Sequence, residues 1–273
     1  MDMSEAKFSH PRASCASCAV RELCLPPGLS VSEMQSAEHL VSTRVRVKRG
    51  GALYRRGDAF KSLYAVWLGS VKSTVSSGDA REQITGLHMA GEVIGFDGLG
   101  TGLHVCDAVA LEDTEVCVFP YSRIDEIVAA VPALARHLHQ LMGREIARKQ
   151  SLMLMLGSMS ADERLATFLL DLADRFEARG YSSSEFVLRM TRAEIGSFLG
   201  ITLETVSRVL SHFARDGWID LSGVKQVRIT DRAQLRRLAV GREAPKPEKQ
   251  PARLHAAVRE RPKQVVRIAA AFA

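Results

Sequence analysis

At 273 residues, 46% hydrophobic and 25% charged, the chain has room for two ordinary domains and a tail, and its composition is that of a globular protein. No apolar run approaches the length that spans a bilayer, and the opening MDMSEAKFSH has an acid on each side of Ser4 and no apolar core, which excludes a signal peptide and points to the cytoplasm. The formal charge of +6 is uneven: residues 241–273 hold eight Lys/Arg and three acids, a net +5, so the basic balance is mostly a property of the tail.

Residues 1–30 read as a loop-rich leader carrying Cys15, Cys18 and Cys24 in a C-x2-C-x5-C pattern, stopped by Pro26-Pro27-Gly28. Ser30 and Ser32 are cap candidates for a short helix through Met34. Residues 31–120 form the next unit. From residue 43 to 119 short period-two or apolar runs alternate with turn signals such as Gly50-Gly51, Gly57-Asp58, Gly69-Ser70, Gly78-Asp79 and Gly91-Glu92. Many short strands at this spacing predict a sandwich or jelly-roll β domain.

Residues 121–157 turn helical, with Pro132 suited to a first turn. His139, Met142, Ile146, Lys149, Met153 and Leu156 keep the alternating 3/4 spacing of a coiled-coil seam. A second line, Leu134, Leu138, Leu141, Leu152 and Met155, can pack on the β domain, and two stripes predict a dimerisation helix. In a parallel dimer Lys149 would face its twin, so like charges would weaken association, and Lys149→Ala should strengthen it.

Residues 158–240 read as a winged helix-turn-helix. A helix over 160–180 ends at Gly180, and Phe186–Met190 is a strand candidate. Thr191 with Glu194 makes a capping box, Gly200 supplies a left-handed turn, and Thr202 caps a second helix. Trp218–Leu221 and Gln226–Ile229 form a small hairpin before a closing helix over Asp231–Val240. In the second helix Glu204, Ser207 and Arg208 fall at i, i+3 and i+4 on one outward face. Arg208 can chelate guanine O6 and N7, Glu204 can accept from cytosine N4, and Ser207 can meet thymine. Arg192, Ser197, Thr202 and Thr205 are supporting positions, as phosphate contacts or caps. The 241–273 segment reads as a basic, disordered tail. The chain has no phosphate loop, no GxSxG elbow and no HExxH pair, and its eight histidines are scattered, so it does not read as an enzyme.

Three leader cysteines cannot close a four-thiolate site, and a fourth must come from Cys106 or Cys117. Zinc sites use two tight cysteine pairs, and this chain has only one; one pair, a third cysteine six residues on and a remote fourth fit an iron–sulfur cluster better.

The order of jelly roll, long helix and C-terminal winged helix-turn-helix resembles the cyclic-AMP receptor superfamily of bacterial transcription regulators, an α+β architecture. The residues Cys15-x2-Cys18-x5-Cys24, Glu82–Gly86, Ala90-Gly91-Glu92, Gly95-Phe96-Asp97, Val116-Cys117, Ala161-x-Glu163-Arg164-Leu165 and Met190–Arg208 are similar to the FNR branch, the oxygen-sensing fumarate and nitrate reductase regulators. The resemblance implies a 4Fe–4S cluster on Cys15, Cys18, Cys24 and Cys117, with oxygen sensed by cluster loss. It implies a homodimer on double-stranded DNA close to TTGAT-N4-ATCAA, and contact with RNA polymerase through surface loops such as 76–81. The superfamily's cyclic-nucleotide sites use a Gly-Glu pair and a later arginine. Gly91 and Glu92 are present, but His104 stands about where the arginine would be, so cyclic-nucleotide sensing is not expected. Cys106 reads as a small buried residue. The alternative is a regulator of the same fold whose cysteines bind zinc or sense redox change or nitric oxide directly.

Overall fold

The computed structural model describes residues 15–41, 43–76, 82–223 and 225–239. The 77–81 part of the loop and the tail from residue 240 lie outside the described residues.

The leader contains a helix the sequence pattern does not signal, α1 (Arg21–Cys24), which has no side-chain cap. Helix α2 (Val31–Leu40) is longer than expected; Ser30 and Glu33 close a capping box at its start. Eight strands follow: β1 (Thr43–Val47), β2 (Ala52–Tyr54), β3 (Ser62–Leu68), β4 (Ser70–Ser76), β5 (Glu82–Met89), β6 (Val93–Ile94), β7 (Asp107–Ala110) and β8 (Thr114–Pro120). They pair as two four-stranded antiparallel sheets, β1-β8-β3-β6 and β2-β7-β4-β5. Tyr54, Val66, Val71, Ile94, Ala108 and Val116 fill the jelly-roll interior, where alternate residues of each strand point inward.

The helical region breaks in two at Val131. Helix α3 (Tyr121–Ala130) stops before Pro132, which starts the 27-residue α4 (Pro132–Ser158). Leu134 and Met155 of the second apolar line are buried, which fixes one face of α4 on its own chain.

Beyond α4 come α5 (Ala161–Glu177), β9 (Glu185–Val187), α6 (Arg192–Leu199), α7 (Leu203–Arg215), β10 (Ile219–Ser222), β11 (Gln226–Ile229) and α8 (Arg232–Ala239). The three strands form one small sheet, β10-β11-β9, the wing. Leu165, Leu169, Ile195, Leu199, Leu210, Phe213 and Leu235 are fully buried at its heart. This core is continuous with Ile84, Met89 and Leu111 of the jelly roll. The two domains are therefore packed together, and the strands of one end help bury the helices of the other.

Candidate cysteine site and nucleic-acid interface

Cys15, Cys18, Cys24 and Cys117 line one pocket. Antiparallel pairing of β8 between β1 and β3 sets Cys117 opposite Arg44 and Ala65, and the leader folds over that end of the sheet. The remaining walls include Val20, Leu25, Val41, Trp67 and Phe119, with Arg44 the polar member beside Cys117. Cys106 lies apart, buried in the jelly-roll interior with its Sγ 3.4 Å from Asp97 Oδ2.

Burial, then the neighbouring Cys117 and Cys18, push the Cys15 thiol up to about 12. Burial, Cys117 and Cys15 also raise Cys24. Cys117 is raised by burial, against the pull of Arg44. Burial thus favours the protonated thiols, and a metal group held here would have to displace those protons.

Among the described residues no three His, Cys, Asp or Glu side chains converge as they would on a single metal ion. The donor set suits a larger, sulfur-bridged group: four sulfurs around one apolar pocket, with Arg44 Nε buried and lacking a hydrogen-bond partner. Bridging sulfides accept such hydrogen bonds. The pocket itself is tight, about 20 Å3, near the room one water needs.

The second site is the helix-turn-helix. Thr191 Oγ1 accepts from Glu194 N at 3.2 Å, closing the capping box that the spacing predicts. Gly200 takes φ 63°, a left-handed conformation that favours glycine, and a Cβ there would press on Leu156 Cδ2 at 3.0 Å. Thr202 accepts from Thr205 N at 3.2 Å and caps α7. Val206, Val209, Leu210 and Phe213 turn inward, leaving Glu204 and Arg208 exposed and Ser207 half-buried on the outer face. The three expected base readers thus share one accessible face of α7.

The supporting positions divide. Thr202 and Thr205 are engaged in capping, and Arg192 is half-buried at the start of α6. Ser197 does not face outward: its hydroxyl accepts from Ile84 N at 3.0 Å and donates to Glu82 O at 3.2 Å, both on β5. Gln83 Nε2 donates to the Ser197 carbonyl, and Lys72 pairs with Glu194 at 3.0 Å. In this conformation Ser197 is a domain-docking residue rather than a phosphate contact.

On α4, Ile146 and Met153 of the expected seam are 59% and 72% exposed, His139 is exposed, and Met142 and Leu156 are half-buried. Lys149 turns away from the seam's centre. Its Nζ donates to Thr85 O at 2.8 Å and pairs with Glu145 at 3.1 Å.

Two residues matter more than their sequence context suggests. Arg164 of α5 donates to Leu156 O and Met159 O, each at 2.9 Å, and to Leu199 O at 2.8 Å. One guanidinium so ties the end of α4 to the helix-turn-helix turn. Glu92 is 8% exposed and accepts from Arg175 and Arg179 of the α5 region, with Arg148 of α4 at 3.4 Å. Only the spacing Ala161-x-Glu163-Arg164 and the Gly91-Glu92 pair hinted at either.

A jelly-roll β domain joined by a long helix to a helix-turn-helix with an exposed second helix defines a DNA-binding regulator. Residues 44–130 match the cyclic nucleotide-binding domain model, and residues 163–238 match the Crp-like helix-turn-helix domain model. The chain is 44% identical over 237 residues to the transcriptional regulatory protein btr of Bordetella pertussis, covering 87% of this chain and 97% of that protein. It is 38% identical over 225 residues to the fumarate and nitrate reduction regulatory protein of Escherichia coli, covering 82% and 90%. The solved structure of FixK2 from Bradyrhizobium japonicum aligns with a TM-score of 0.67 at 33% identity, over 73% of this chain and 98% of that one. The chain belongs to the CRP/FNR superfamily of transcription regulators. Among the described residues no helix is long and apolar enough to cross a membrane.

Proposed function

We propose that this regulator senses oxygen through a 4Fe–4S cluster held by Cys15, Cys18, Cys24 and Cys117, and binds DNA in the cytoplasm as a homodimer. The observation that carries the reading is the gathering of these four thiols, from the leader and from the distant strand β8, around one pocket. The cluster would supply iron and sulfide that oxygen can attack. The chain's own part is to deliver four sulfurs, to shield them with Leu25, Val41 and Phe119, and to offer Arg44 against the negative charge of the thiolates.

The exposed apolar residues of α4 support a seam between two copies, built from His139, Met142, Ile146, Met153 and Leu156, with Lys149 at its flank. A symmetric dimer sets two recognition helices roughly 34–36 Å apart and demands a palindromic site. Glu204, Ser207 and Arg208 read its bases, at a site close to TTGAT-N4-ATCAA. RNA polymerase is the partner expected of an activator in this family.

Cyclic nucleotide is not the signal in this reading. Glu92 is taken up by arginines of the same chain, and His104 lies stacked on Tyr54 at 3.7 Å and bonded to Asp97 at 3.3 Å. Both positions that would meet a cyclic nucleotide are occupied by internal contacts.

The test is to purify the chain without oxygen, count iron and acid-labile sulfide, and measure binding to the palindrome before and after air. Cluster content and DNA affinity should fall together. Stoichiometric zinc without iron or sulfide would overturn the reading.

A further inference from the structure

Helix α4 buries three residues against its own chain, Leu134, His137 and Met155, and only His137 is polar. Its Nε2 donates to the backbone carbonyl of Cys24 at 3.1 Å, across 113 residues of sequence. That carbonyl ends α1, where helical C=O groups have no partner within the helix. The bond is part-buried, and Cys24 packs in one apolar cluster with Leu25, Val131, Leu134 and Leu138. Losing the donor of a part-buried carbonyl is unfavourable, so this bond ties the leader to α4.

The tie lies between two features already described. On one side is the thiol pocket, lined by Cys15, Cys18 and Cys24 of the leader and by Cys117 of β8. On the other is the exposed apolar face of α4, which begins two residues after His137 at His139. Beside the bond is a separate cavity of about 60 Å3, lined by Cys24, Leu40, Leu134, His137, Leu138 and Leu141. It gives the linkage room to change position without forcing apart a close-packed core.

We propose that His137 is a positioning residue that transmits the state of the cysteine site to the dimer seam. Movement of the Cys24 backbone is passed through the imidazole to α4 about a turn and a half ahead of Met142, so the seam is aligned or misaligned by the leader directly. The jelly roll is the frame against which this movement occurs. The proposal rests on the cluster reading above and adds the residue through which the cluster would act.

The test uses the full chain and three proteins: wild type, His137→Leu, and His137→Gln. Leucine keeps much of the volume and removes the donor, whereas the glutamine amide can still donate to the Cys24 carbonyl. Each is purified anaerobically, iron and sulfide are counted, and the monomer–dimer constant is measured by sedimentation with the cluster and after air exposure. Wild type should dimerise more tightly with the cluster. His137→Leu should take up the same iron and sulfide, yet lose roughly tenfold or more of that cluster-dependent tightening. His137→Gln should recover most of it. A His137→Leu protein that loads the cluster and responds like wild type overturns the proposal. So does one that cannot load the cluster while His137→Gln can, because His137 would then serve only to hold the leader. Wild type lacking iron and sulfide would instead refute the cluster reading itself, and is seen before any variant is compared.

Discussion

The Glu92 carboxylate meets the Arg175 guanidinium at 2.9 Å, joining the β5–β6 turn to the first helix of the DNA-binding domain. Arg179 adds a contact at 2.7 Å, and the backbone carbonyls of Leu87 and Ala90 accept from the same two arginines. On the other side of the turn, Gly91 has φ +85°, and a Cβ there would lie 2.6 Å from Leu23 of the leader.

Glu92 should make domain docking sensitive to acid. Burial alone would raise its pKa, but Arg175, Arg148 and Arg179 more than offset this and hold it at about 2, against an ordinary 4.5. The stabilisation, about 3 kcal/mol, is complete above the unfolded value and is lost as pH falls through the folded one. Urea unfolding should show Glu92→Gln less stable by about 3 kcal/mol at pH 7. The gap should narrow by more than half by roughly pH 3. A gap of constant size would show that Glu92 is not held ionised by these arginines.

Arg208→Ala should cost about 1–3 kcal/mol of DNA affinity and relax discrimination at one base pair per half-site. Competition assays with sites altered one base at a time measure this. Equal losses on every sequence would make Arg208 a phosphate contact instead.

Ile146→Glu should weaken self-association by roughly 100-fold, since a symmetric seam loses two apolar side chains and gains two like charges. Ile146 is 59% exposed within its own chain, so the melting temperature of the monomer should barely move. Lys149→Ala should have a much smaller effect, because Glu145 and Thr85 already meet the ammonium within the chain. Sedimentation equilibrium distinguishes the two.

Cys117→Ser should abolish uptake of iron and sulfide under anaerobic reconstitution, and Cys106→Ala should leave it intact. Cys106 is buried with Tyr54 and Val66 in the jelly-roll interior, away from the pocket of the other four cysteines. Loss of the cluster from Cys106→Ala alone would reverse the assignment.

Local chemistry made much of this legible. Thr191, Glu194, Gly200 and Thr202 specify their caps within a few residues, and the β-domain turns are marked by glycine. Helix α1 was hidden because its four residues carry neither cap nor periodicity. The roles of Glu92, Arg164 and Lys149 were hidden for another reason: Glu92 meets Arg175 and Arg179 across 83 and 87 residues, Arg164 meets Leu199 across 35, and Lys149 meets Thr85 across 64. Ser197 shows the limit most clearly. Its place in a helix-turn-helix suggests phosphate, and only the tertiary packing gives its hydroxyl to β5.

Strand β5 is the last in its sheet, and its outer edge is met by side chains: Ser197 at Glu82 and Ile84, Lys149 at Thr85, Arg175 at Leu87. An uncovered strand edge is a template for pairing with other chains. Together with α4, the DNA-binding domain therefore doubles as a guard against aggregation. Any condition that swings it away from the jelly roll exposes a sticky edge, and solubility becomes a readout of domain posture.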